Sequence, residues 1–381
     1  MSQSIFIQSL QNLKIEFDSG QSLAGQLAEQ ITWLIASGQI STGFKLPAVR
    51  TLAVHLGINL HTVRAAYLKL EENNLIVTRH GTGSMVLPFD RMQIAENGSS
   101  LLSNTVGVII PDSANPFYPK IISGISEIAA QHHILLITCD THESHLAGKE
   151  YLDMMIAKKV DGVIIAPYGL QVENYGNDNP CVPNCPIPIV YIDCPNEPGY
   201  AVLIDAENAG FKATQHLIDH GHQRIAIITG NTQVSTLYQC FSGYKKALEI
   251  NGISIEESFI SEENFFSNAA GYQSTQKFLS LEKIPTAIFA AGDLYAIGAM
   301  RAVFDHGLRV PEDIAIVGYN NIDVSAYIEP KLTTINTPMY EMGVLSMQML
   351  KKLIHNEPVS EQRIILPTEL IVRRSCGCSS H

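Results

Sequence analysis

The chain has 381 residues, 46% of them hydrophobic, with 25 Lys/Arg against 37 Asp/Glu and a formal net charge of −12. That apolar content supports two or three packed domains and excludes an intrinsically disordered chain. Residues 1–90 carry six Lys/Arg and six Asp/Glu, so the whole acidic excess lies in residues 91–381, a body that will not itself adhere to nucleic acid. The seven cysteines form no even framework, the first residues lack the basic and apolar regions of a signal peptide, and no run of about 18 apolar residues occurs. A reducing cytoplasm is the expected compartment.

In chain order, the first segment with a clear pattern is Leu46 to Val86. Pro47 suits the first position of a helix, Leu52, Ala53 and Leu56 recur at helical spacing, and Gly57 closes it. Asn59 caps a second helix whose apolar stripe is Val63, Ala66, Tyr67 and Leu70. Leu75–Val77 and Met85–Leu87 read as strands around a tip of Thr78-Arg79-His80-Gly81-Thr82-Gly83, where two glycines permit positive φ. The helix-turn-helix pattern alone fits a small helical domain with a solvated basic loop equally well. The cations favour a DNA reader with a wing: Lys45 to Thr82 holds five Lys/Arg against two acids.

Over residues 20–87 the stretch resembles the GntR-type winged helix-turn-helix. The resemblance rests on Leu46-Pro47 with Arg50, on Thr62 to Tyr67, and on Arg79, Gly81 and Gly83. It implies DNA contacts from Arg50, from Asn59, His61, Thr62 and Arg64, and from Arg79, His80 and Gly81. Leu60 stands where many members carry a polar or basic residue.

Residues 88–104 have linker composition. Beyond them apolar runs alternate with amphipathic segments. Strands are expected at Thr105–Ile110, Ile134–Cys139, Gly162–Ala166, Ile187–Ile192, Arg224–Thr229, Ala287–Ala290 and Ile314–Val317. Helices are expected over 118–132, 146–158, 206–220, 238–251, 268–280 and 294–307. Unbroken apolar strands between helices imply parallel sheets covered on both faces, and two such series imply two lobes. Such sheets bind ligands beyond the carboxyl ends of their strands. The loops there are rich in Asp, Asn and aromatic residues, a set suited to a polar, hydroxyl-rich molecule and equally to ordinary strand-end caps.

Residues 104–375 resemble the LacI/GalR effector domain, with its periplasmic-binding-protein fold. The matching motifs include TVGVIIPDSANPFYPKIISGI, VDGVIIAP, AENAGFKATQHLIDHGHQRIAIITG and the segment from Ala287 to Asn321. The resemblance implies first-lobe effector contacts from Asn115, Phe117, Tyr118 and Asp193, and second-lobe contacts from Phe266 and Asp293. Two departures remove charge: Cys240 where an arginine is frequent, and Asn320 where Asp is frequent. The joined architecture resembles arabinose-type regulators with a GntR head.

Metal sites are not expected. Asp140, His142 and His145 read as solvated loop residues, Cys181, Cys185 and Cys194 lack a regular histidine partner, and Cys376-Gly-Cys378 with His381 reads as a chain end. No nucleophile-elbow, phosphate-loop or zinc-protease motif occurs, and neither a cofactor nor a catalytic residue is expected. The expected fold is α/β: a two-lobed, doubly wound, periplasmic-binding-protein-like domain at 105–375 behind a winged helix-turn-helix domain at 1–87. Lobe 1 is expected over about 105–200 plus 324–336, and lobe 2 over about 201–323 plus 337–375. The expected function is a cytoplasmic, homodimeric, ligand-responsive repressor. Its partners would be operator DNA and a small carbohydrate effector, with no membrane. The alternative is an α/β enzyme that modifies a sugar or nucleotide and carries an accessory DNA-binding head.

Overall fold

The computed structural model describes residues 22–36, 40–79, 82–88, 102–166, 185–232 and 235–378. The chain divides into two compact units, one up to Leu101 and one from Leu102 onward.

In the first unit, α1 (Leu23–Ala36), α2 (Val49–Leu56) and α3 (Leu60–Glu72) precede an antiparallel hairpin of β1 (Ile76–Arg79) and β2 (Gly83–Val86). The hairpin register pairs Ile76 with Val86 and Arg79 with Gly83. Leu27, Ile31, Leu34 and Ile35 line one face of α1 at helical spacing and share a core with Leu52, Val63, Leu70, Ile76 and Val86. Gly57 ends α2 at φ 63°, and the Asn59 side chain caps α3 by accepting the His61 N–H at 2.8 Å.

Pro47 departs from expectation. The helix begins at Val49 after an extended Ala48, so Pro47 lies outside it. The cause is the neighbouring sheet. Leu46 N–H donates to the Ser84 carbonyl, and the chain must leave the hairpin extended before it can turn into the helix. The Pro47 carbonyl then accepts the Tyr67 hydroxyl at 2.9 Å, which ties the start of α2 to the middle of α3.

The second unit holds two six-stranded sheets. The first has the order β13-β7-β6-β5-β3-β4, from β3 (Thr105–Ile110), β4 (Leu135–Asp140), β5 (Gly162–Ile165), β6 (Ile189–Ile192), β7 (Tyr200–Ile204) and β13 (Arg363–Leu366). The second has the order β14-β12-β11-β10-β8-β9, from β8 (Ile225–Gly230), β9 (Ile260–Glu263), β10 (Ala287–Ala290), β11 (Ala315–Asn320), β12 (Thr333–Asn336) and β14 (Glu369–Ile371). Every pairing in these two sheets is parallel except β12 with β14. The helices are α4 (Phe117–Gln131), α5 (His145–Ala157), α6 (Ala206–Asp219), α7 (Ser235–Ile250), α8 (Asn268–Leu279), α9 (Asp293–Asp305) and α10 (Met339–Ile354). Strands such as Ile225–Gly230 and Ala287–Ala290 are buried at every residue, as sheets covered on both faces require.

The expected lobe boundaries need correction. Residues 333–336 do not return to lobe 1, because β12 pairs with β11 in parallel and with β14. The return is made by α10 and β13: β13 pairs with β7, and α10 packs on α4 so tightly that a Cβ on Gly124 would lie 2.2 Å from the Tyr340 carbonyl oxygen. Residues 201–204 also belong to lobe 1, as β7. The chain therefore crosses between lobes at 205, at 337–338 and at 367–368.

Candidate nucleic-acid interface and ligand cleft

In the head, Arg50 is the second residue of α2, His61 and Arg64 lie in the first two turns of α3, and Arg79 ends β1; all four are exposed. Thr62 is half-buried, and Asn59 is exposed with its carboxamide oxygen committed to the helix cap. Among the described residues none of these arginines joins an ion pair. The acid that could neutralise the wing, Glu71, is turned to accept the Thr78 N–H at 2.9 Å and so anchors the hairpin to the end of α3. These arginines are thus exposed and free of acidic partners among the described residues. Leu60 packs against the head's core, which explains an apolar residue at that place. His80 and Gly81 lie outside the described residues.

The cleft forms where the carboxyl ends of the two sheets meet. After β3, Asn115 accepts the Phe117 N–H at 3.1 Å and opens α4, placing Phe117 and Tyr118 edge to face with centroids 5.1 Å apart. After β6, Asp193 sits at φ 57°, and its carbonyl accepts the Thr236 hydroxyl of α7 at 2.8 Å, a bond from lobe 2 to lobe 1. A second bridge joins Lys120 of α4 to Asp323 beyond β11 at 2.6 Å. Burial lifts the Asp193 carboxyl to about 7; the Thr236 hydroxyl opposes this and no cation does. Burial also lifts the Tyr118 hydroxyl, the Cys240 thiol (to about 12) and the Tyr319 hydroxyl, and the Asp193 charge adds to all three. Asp193 and Tyr118 from lobe 1 therefore face Cys240 and Tyr319 from lobe 2.

On the other side of the cleft Phe266 stacks on Tyr295 with centroids 4.9 Å apart. Tyr295 is also raised by burial, with a contribution from Glu143 of lobe 1. Buried hydroxyls with no hydrogen-bond partner among the described residues include Thr141 after β4, Thr229 in β8 and Tyr295 in α9.

Asp293 does not join this group, which corrects the expectation. Its carboxylate is 1% exposed and accepts from Ile322 N–H at 2.8 Å, from Ser325 Oγ at 2.6 Å and from Thr334 Oγ1 at 2.6 Å. It clamps the β11–β12 connection from inside lobe 2. Asn320, noted from the sequence as a departure from a frequent Asp but not counted among the expected effector contacts, lies at the carboxyl end of β11 with φ 101°. Its Oδ1 accepts the Thr337 hydroxyl at 3.2 Å, and its amide nitrogen makes no hydrogen bond among the described residues. Its neighbour Asn321 is taken up by Arg373 and Asn336. The signal is present, since an Asn ends an apolar strand there, but a sequence does not tell which strand-end polar group points inward.

The match of residues 23–86 to the model "Bacterial regulatory proteins, gntR family" and of residues 214–376 to "Periplasmic binding protein-like domain" follows the two units just described. The chain is 32% identical over 283 residues to the HTH-type transcriptional repressor CytR of Escherichia coli K12, covering 72% of this chain and 79% of that protein. Among solved structures, a LacI family transcriptional regulator from Enterococcus faecium with bound ribose is 32% identical with a TM-score of 0.62, covering 71% of this chain and 98% of that one. The transcriptional regulator CelR in complex with cellobiose is 26% identical with a TM-score of 0.64, covering 87% of this chain and 100% of that one. The chain belongs to the LacI/GalR-type transcriptional regulators, with a gntR-type helix-turn-helix head in front of the periplasmic-binding-protein-like domain. It is a regulator and not an enzyme. Among the described residues no helix is long and apolar enough to cross a membrane.

Proposed function

We propose that the protein is a homodimeric repressor whose winged head binds operator DNA and whose cleft binds a neutral, hydroxyl-rich molecule of the sugar class. The observation that carries the ligand class is the set of buried hydroxyls of Thr141, Thr229 and Tyr295 that have no hydrogen-bond partner among the described residues, together with the Asp193 carboxyl that no cation offsets. Buried hydroxyls in folded proteins are otherwise hydrogen-bonded. A sugar supplies both donors and acceptors for them, and its ring face suits the Phe266–Tyr295 pair. A sugar phosphate or nucleotide would bring anionic charge to a carboxyl that no cation offsets. The ribose and cellobiose seen in the two regulators above support the same class.

Thermal-shift measurement against neutral pentoses, hexoses and disaccharides, with their phosphates and nucleosides alongside, tests this. A neutral sugar at 100 times its dissociation constant should add about 2.7 kcal/mol of stability. Stabilisation by phosphorylated compounds alone would overturn the reading. A ligand held by Asp193 and Tyr118 on one side and Tyr319 and Asn320 on the other favours the closed lobes over open ones. By linkage it changes operator affinity by the factor by which DNA changes ligand affinity. Two heads reading two half-sites require a dimer, and light scattering should give twice 41.8 kDa.

A further inference from the structure

Beside Thr333 at the amino end of β12, the end opposite Asn336, two pairs of metal-ligating side chains meet. His216 lies in the last turn of α6 and His220 caps that helix, so the two rings project from one face four residues apart. Cys376 and Cys378 follow β14, with Gly377 at φ 83° between them, which lets the chain turn both thiols to the same side. The Cys378 sulfur lies 3.2 Å from the Cys376 sulfur, 3.4 Å from His216 Nε2 and 2.9 Å from His220 Nε2. The ligand atoms of His216, Cys376 and Cys378 all lie within 4.8 Å of one another. A tetrahedral zinc with Zn–S of about 2.3 Å and Zn–N of about 2.0–2.1 Å spaces its ligand atoms by roughly 3.3–3.8 Å. His216, Cys376 and Cys378 are close to that spacing, while His220 Nε2 lies outside the group of three, touches it at the Cys378 sulfur, and must turn toward the other two to complete the tetrahedron.

The surroundings prepare the group. Ser375 holds the tail in register: its carbonyl accepts Ile316 N–H at 2.7 Å, its Oγ accepts Thr333 N–H at 2.8 Å, and it donates to the Ile316 carbonyl at 2.6 Å. The His220 Nδ1 faces the His216 carbonyl at 2.7 Å, which orients Nε2 toward the sulfurs. The Thr333 hydroxyl donates to the Cys376 sulfur at 3.0 Å, as an outer-shell partner of a thiolate does. Cys376 is buried and His220 is exposed, so an ion has a way in.

We propose that His216, His220, Cys376 and Cys378 bind a structural zinc ion that fastens the tail after β14 to the end of α6. Two thiolates and two imidazoles select zinc over the hard cations, and four protein ligands leave no open position for chemistry. By spacing alone the two cysteines belong with a chain end; the fold puts them against a helix more than 150 residues earlier.

Untagged full-length protein, purified under reducing conditions, should hold about one zinc per chain by elemental mass spectrometry. Replacement by Co²⁺ should give the thiolate charge-transfer and intense visible bands of a tetrahedral two-sulfur site. Chelation should lower the melting temperature of the effector domain, and added zinc should restore it. Cys376→Ser/Cys378→Ser should lose the metal, and His220→Ala, a change at an exposed position, should weaken it at least about tenfold with the circular dichroism unchanged. The proposal fails if reduced, folded protein offered zinc binds none. It also fails if metal content is unchanged in either variant, or if the two cysteines are joined in a disulfide in protein isolated without exposure to oxidant.

Discussion

Asp193→Asn should stabilise the ligand-free protein at alkaline pH. The side chain stands at φ 57°, a left-handed conformation that Asn adopts as readily as Asp, so the exchange adds no backbone strain. What changes is charge. Burial raises the carboxyl from an ordinary 3.8 to about 7. The side chain is half-buried, so the roughly three pH units at about 1.4 kcal/mol each set an upper limit of about 4 kcal/mol on the cost of ionising it in the folded state, which solvent screening reduces. The sign follows from proton binding. The folded state holds this proton more tightly than the unfolded chain does, so the contribution favours folding at low pH and is lost as pH rises from about 4 to about 7. The variant carries no such loss. Its advantage in melting temperature should therefore be near zero at pH 4, grow through pH 5 to 7, and level off above pH 7. Measuring both proteins across that range and taking the difference cancels the other carboxylates. A flat difference, or a variant less stable than wild type at pH 8, would refute the placement of Asp193 in a half-buried site without a compensating cation. The same logic sets the ligand's pH dependence. Sugar hydroxyls that donate to the carboxylate favour its ionised form, so binding should release a proton near neutral pH.

Arg50→Ala and Arg64→Ala together should abolish operator binding at physiological salt while leaving the head folded, because both side chains are exposed and join no ion pair among the described residues. Removing one phosphate-binding arginine should lower the salt slope by about one, read from binding at several salt concentrations. Asp293→Ala should leave three buried donors without an acceptor and lower the stability of the effector domain by roughly 2–4 kcal/mol, measured by thermal or urea unfolding. A variant of wild-type stability that fails only in ligand response would return Asp293 to the cleft.

What can be read in the sequence is local. Gly57 and Asn59 mark a helix end and a helix start through their own backbone chemistry, and both act that way in the fold. The long buried strands declare themselves by unbroken apolar runs. The short closing strands do not: Thr333–Asn336 and Glu369–Ile371 have too few apolar residues to stand out, and only their pairing decides which lobe owns them. The same limit applies to the site. Asp293 and Asn320 both sit beside strand ends, and what separates them is the arrival of Ile322, Ser325 and Thr334 around one carboxylate. The Cys376–Cys378 and His216–His220 spacings are each visible in the chain, but their meeting is a fact of tertiary structure.

The threefold crossing between lobes has a consequence for synthesis on the ribosome. Neither sheet can be finished when its first strands emerge. The first sheet waits for Arg363–Leu366 to close the edge beside Tyr200–Ile204, and the second waits for Glu369–Ile371 beside Thr333–Asn336. The head, whose described strands and helices all lie before residue 88, can complete its core long before either. A nascent chain thus passes through a period in which the DNA-reading module is folded and the module that controls it is not. Chains cut short before residue 363 would carry a head with no closed ligand domain behind it.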